Sequence, residues 1–107
     1  MERILTKEEL KSAVENNPGK LVLVDWNASW CGPCRALGQI FEQIFPIDDV
    51  ILYSVNMDEA DEELAAEYNV RSVPTVLFYK DGLLIDRFTG MIGREAVEER
   101  IKKNKEK

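Results

Sequence analysis

Leu21-Val22-Leu23-Val24-Asp25, followed after a short link by Trp30-Cys31-Gly32-Pro33-Cys34, is the stretch that decides the fold. The aliphatic residues follow one another with no polar residue between them. A strand with one wet face alternates; one buried on both faces, as in a parallel sheet covered by helices, does not. A strand is therefore expected over 20–26. A helix is expected from near Cys31, because Leu37, Ile40, Phe41, Ile44 and Phe45 recur at i, i+3, i+4, i+7 and i+8, and Pro46 ends the run. The Cys pair thus sits where a strand gives way to a helix. In open α/β sheets, sites gather beyond the carboxyl ends of strands.

Cys31 and Cys34 are the only cysteines. At a helix start the first backbone N–H groups lack partners and, with the helix dipole, favour negative charge. A thiol there should have a lowered pKa, and the thiolate is the nucleophile. Cys34 lies about one turn further on the same face, within disulfide range. Gly32 leaves room for a partner chain, and Pro33 suits a first helical turn, where its missing N–H leaves nothing unpaired. The spacing points to a dithiol that opens and closes, with Cys31 attacking a disulfide and Cys34 resolving the mixed disulfide. Two plain buried thiols are the bland alternative. A zinc or iron–sulfur site usually takes four ligands; with no histidine and no third cysteine, only a metal shared between chains remains.

On the amino-terminal side, Arg3-Ile4-Leu5 suits a short edge strand. Thr6-Lys7-Glu8-Glu9 reads as a capping box, with Leu5 and Leu10 as its hydrophobic staple. The helix turns Leu10, Ala13 and Val14 inward and stops at Asn16-Asn17-Pro18-Gly19. On the carboxyl side, a strand is expected over 50–55 and a helix over 58–68 with an acidic start. Its carboxylates are read as a solvated face rather than a metal site. Strands over 75–80 and 83–88 flank Asp81-Gly82, a hairpin signal. A helix over 93–103 closes the chain, with Val97 and Ile101 inward. The order is β-α-β-α-β-α-β-β-α. Strands joined through helices are expected to be parallel and the last pair antiparallel, giving a mixed sheet with helices on both faces.

The chain has 107 residues, fitting one domain over 1–107, and 45% of them are hydrophobic. With 14 basic and 20 acidic residues the net charge is −6, which disfavours nucleic acid as a partner. The basic tail of Lys102, Lys103, Lys105 and Lys107 suits the negative end of a helix. No early apolar run is long enough for a signal peptide or a membrane span, so a cytoplasmic location is expected, where thiols stay reduced.

The sequence resembles the thioredoxin family over nearly its whole length. The resemblance rests on Leu21-Val22-Leu23-Val24-Asp25, Trp30-Cys31-Gly32-Pro33-Cys34, Val73-Pro74-Thr75, the Asp81-Gly82 hairpin and Gly90. It implies the α/β thioredoxin fold, a central mixed five-stranded sheet flanked by four helices. It also implies a general protein disulfide reductase with no bound cofactor, whose redox-active group is the Cys31–Cys34 disulfide. Electrons would come from a thioredoxin reductase, NADPH- or ferredoxin-linked, and pass to disulfide-containing proteins; the chain would act as a monomer. Val73-Pro74 resembles the family's cis-proline step, although Pro74 read alone simply starts a strand with a trans bond. Trp30, Gly32, Pro33, Val73, Pro74, Gly90 and Met91 would line a substrate groove around Cys31. Asp25 resembles the buried carboxylate that takes the resolving cysteine's proton; read alone, it equally suits a cap on the turn after the strand.

Three positions depart from the family pattern. Asn27 stands where an aromatic is common, Gln39 where a helix-kinking proline is common, and Ser54 where a buried lysine is common. The first two imply a straighter helix and a more polar surround. Without the lysine, Asp25 should be harder to ionise than is usual in the family. The competing functions are a disulfide oxidase or isomerase and a non-catalytic thioredoxin-fold binding or chaperone subunit. Gly32-Pro33, in place of a histidine between the cysteines, argues against the first, and the intact Cys pair against the second.

Overall fold

Side chains on a strand point alternately to opposite faces, and the aliphatic run uses both. In the computed structural model, which describes residues 1–107, β2 spans Leu21–Asn27. Val22, Val24 and Trp26 enter one apolar cluster, while Leu21 and Leu23 enter another on the opposite face. The other elements are β1 (Glu2–Arg3), α1 (Lys7–Glu15), α2 (Gly32–Ile44), β3 (Val50–Asn56), α3 (Leu64–Glu67), β4 (Thr75–Lys80), β5 (Leu83–Thr89) and α4 (Arg94–Lys105). Helices α1 and α3 supply Leu10, Ala13, Val14 and Leu64 to the first cluster; α2 and α4 supply Leu37, Ile40, Phe41, Val97 and Ile101 to the second. Fully burying each such Val, Leu, Ile or Phe contributes about 1.5–3 kcal/mol.

The five strands lie in the order β1-β3-β2-β4-β5. The mixed sheet with helices on both faces agrees with the expected architecture. Strands β1 and β2 both run parallel to β3. Strand β4 does not follow the expected direction: it runs antiparallel to β2, and β5 antiparallel to β4. The cause is the link before it. The 4 residues of α3 span only about 6 Å, too little to return the chain along a strand of roughly 23 Å. The chain re-enters the sheet at the end it left, where Thr75 pairs with Trp26.

The helix expected over 58–68 is thus mostly turn. The Asp58 N–H donates to Asn56 Oδ1 (2.8 Å), Asp58 Oδ2 accepts from the Ser29 N–H (3.1 Å), and the Asp61 N–H donates to the Leu5 carbonyl (3.1 Å). These partners replace helical ones. The Thr6–Glu9 capping box forms as read, with Thr6 Oγ1 accepting from the Glu9 N–H (3.2 Å) and Glu9 Oε1 accepting from the Thr6 N–H (3.0 Å). The staple does not follow the expectation. Ile4, tied by its N–H to the Ser54 carbonyl at 2.8 Å, is the residue that turns into the core, leaving Leu5 45% exposed. At the hairpin, Asp81 and Gly82 have φ of 50° and 83°, the positive values that a two-residue type I′ turn needs.

Candidate active site

The dithiol is placed by the end of β2 and the start of α2. Cys31 is the N-cap of α2, in extended conformation, and Pro33 lies in the first turn. The Cys31 Sγ accepts the Cys34 N–H at 3.1 Å, which satisfies one of the helix's free donors. Cys31 and Cys34 are joined as a disulfide with their Cα atoms 5.3 Å apart. Each residue is 5% exposed, whereas Gly32 and Pro33 between them are exposed. A sulfur that already takes a helix N-terminal amide is better stabilised as an anion than as a thiol.

Val73 packs against Ala28, Cys31 and Cys34. The Val73–Pro74 peptide bond is cis. Pro74 is buried, and its carbonyl accepts the Gly90 N–H at 2.8 Å. Gly90 has φ 89°, a conformation that a side chain would strain. Thr75 extends this seam, its hydroxyl donating to the Ser72 carbonyl at 2.8 Å.

Asp25 lies on the same face of β2 as Leu21 and Leu23, so it points toward the α2 side of the sheet, and it is 2% exposed. Burial pushes its carboxyl up to about 7, and the Asn27 amide opposes that in part. No neighbouring charge contributes.

The thioredoxin family model matches residues 2–103. The chain belongs to the thioredoxin family. The thioredoxin of Mycoplasmoides gallisepticum is 40% identical over 103 residues, covering 95% of this chain and 100% of that protein. That of Geodia cydonium is 38% identical over 103 residues, 94% of each chain. Among solved structures, the thioredoxin of Malassezia sympodialis superposes with a TM-score of 0.85 at 31% identity, covering 98% of this chain and 90% of the other. Plasmodium falciparum thioredoxin gives 0.86 at 29% identity, covering 96% and 98%. This chain has the thioredoxin fold and is a thiol-disulfide oxidoreductase of the protein-disulfide reductase type, with Cys31–Cys34 as its redox-active disulfide. Thioredoxins take electrons from thioredoxin reductase and act on disulfide substrates. No helix is long and apolar enough to cross a membrane.

The structure brings Cys31, Cys34 and Val73 into one cluster and ties Pro74 to Gly90. Trp30 is 73% exposed and Met91 44% exposed. Asn27 donates through Nδ2 to Ser54 Oγ at 2.8 Å and to the Asp25 carbonyl at 3.0 Å. Helix α2 runs unbroken past Gln39.

Sequence reading missed the clasp on the loop before the motif. Ser29 donates its N–H to Asp58, its Oγ accepts from Asn56 Nδ2 (3.1 Å), and its carbonyl accepts from Arg35 Nη1 (3.1 Å). The one available signal was Asn56-Met57-Asp58 directly after a strand, a pattern that suits an Asx turn.

Proposed function

We propose that the chain is a general protein disulfide reductase in which Cys31 is the nucleophile, Cys34 the resolving thiol and Asp25 the proton acceptor. The observation that carries this reading is the Cys34 N–H donating to Cys31 Sγ at the start of α2. In the dithiol state that donor and the helix dipole favour the Cys31 thiolate. The thiolate attacks a substrate sulfur, the substrate S–S bond breaks, and the first substrate thiol leaves with a proton from solvent. Cys34 then gives its proton to Asp25 and attacks Cys31, releasing the second thiol.

Exposed Trp30, Gly32, Pro33 and Met91 would bound the substrate groove, with Val73 and Gly90 forming its floor. The packing of Val73 against Cys31 and Cys34 supports this, because it sets the groove directly beside the dithiol. An NADPH- or ferredoxin-linked thioredoxin reductase would restore the dithiol. The chain would act as a monomer of one domain in the cytoplasm.

The test is reduction of a protein disulfide by the parent and by Cys31→Ser and Cys34→Ser. Both variants should lose turnover. Cys34→Ser should accumulate a mixed disulfide through Cys31, visible by mass. Mixed disulfide through Cys34 in Cys31→Ser, at the parent's rate of attack, would reverse the assignment.

A further inference from the structure

The α2-facing row of β2 and β3 begins apolar, with Leu21, Leu23, Val50 and Leu52. It turns polar at the carboxyl end of the sheet, where Asp25 pairs with Ser54 and Asn27 with Asn56. Asp25, Asn27, Ser29, Cys34, Ser54 and Asn56 line an open cleft of about 290 Å³. Within it, Asp25 Oδ1 is buried without a hydrogen-bond partner from the protein. A buried oxygen facing a polar and roomy site is ordinarily satisfied by water. The cleft is several times larger than one water's share of the liquid, about 30 Å³.

We propose that the Asn27–Ser54 pair is a positioning element that holds this cleft open as the water path by which Asp25 exchanges its proton with solvent in each turnover. The inference rests on the reading of Asp25 as proton acceptor. During resolution the Cys34 proton passes to the Asp25 carboxylate. The Cys34 thiolate attacks Cys31 Sγ, the Cys31–substrate bond breaks, and the substrate thiolate takes a proton from solvent. Neutral Asp25 then returns its proton to water in the cleft. Two electrons move from the dithiol to the substrate disulfide, and no other reductant enters. The cleft is also lined by Arg35 from α2 and by Met1, and Val76 of β4 pairs with Asp25 across the sheet; neither Arg35 nor any other charged group shifts the Asp25 carboxyl.

The experiment follows attack and resolution separately by rapid mixing with a peptide disulfide, across a pH series. Ser54→Val places methyl groups in the cleft and removes the bond to Asn27. It should leave attack by Cys31 unchanged, slow resolution at neutral pH by about tenfold or more, and move the acid limb of resolution upward. Asn27→Val removes the same bond from the other side and should act alike. Ser54→Thr keeps the hydroxyl and should restore the parent profile, which a packing role alone would not require. Asp25→Asn should slow resolution, and Ser54→Val added to it should cost nothing more. If Ser54→Val and Asn27→Val resolve like the parent while Asp25→Asn is slow, the water path is wrong and the role of Asp25 stands. If Asp25→Asn resolves at the parent rate, both fall.

Discussion

At the residue scale, Asp25 couples stability to pH. Its carboxyl ordinarily ionises near 3.8 and in the fold near 7. Between those values the folded chain keeps a proton that the unfolded chain releases, so this residue lowers stability as pH rises through the window. Below it both states are protonated and the penalty vanishes. Asp25→Asn should therefore stabilise the protein at pH values above 7, by roughly 4 kcal/mol at most, and be near neutral in acid. Chemical denaturation at two pH values reads the difference. A cation opposes the effect of burial, so Ser54→Lys should move the acid limb of the resolving step to lower pH. A limb no lower than that of Ser54→Val, which loses the same bond to Asn27, would show that position 54 does not reach the carboxyl electrostatically.

The same scale shows what a sequence carries. Trp30-Cys31-Gly32-Pro33-Cys34 was legible because spacing and helix-start chemistry are local. The role of Asn27 and Ser54 as a bonded pair was not, because they lie 27 positions apart and only the register of β2 on β3 joins them.

At the element scale, Thr6→Ala removes the acceptor of the capping box and should cost about 1 kcal/mol. The measurement is a denaturant midpoint at constant slope. Helix α4 is pinned to the sheet by Asn104, fully buried, whose Nδ2 donates to Asp86 Oδ2 and to the Arg100 carbonyl, both at 2.8 Å. Arg100 also stacks over Phe88 at 5.7 Å. Asn104→Ala removes both bonds, leaving Asp86 Oδ2 to Arg100 Nε alone at 3.4 Å, and should cost about 2 kcal/mol, read the same way. Helices with a strong apolar period were placed well from sequence. The acidic segment after β3 was not, since its N–H groups and carboxylates bond to Asn56, Ser29 and Leu5 rather than along a helix. The hairpin signal at Asp81-Gly82 makes strand β4 legible but not its direction, which depends on how far the preceding link travels.

At the scale of the whole molecule, the disulfide closes a loop between residues 3 apart in sequence. The chain-entropy estimate for so small a loop is about 2 kcal/mol. Reduction should therefore lower the melting temperature, by on the order of 10 °C for a chain of this size. Calorimetry with and without a dithiol reductant gives the shift; equal melting points would mean that native-state effects offset the loop term. The mixed α/β character was legible in the period of each segment. The order β1-β3-β2-β4-β5 was not, since strand neighbours are fixed by packing between segments distant in sequence. Of the 20 acidic residues only Asp25 is buried, and there is no histidine. A protonated carboxyl absorbs infrared light apart from the ionised majority. The band of this one side chain therefore offers an optical gauge of proton movement during reduction, with no label attached.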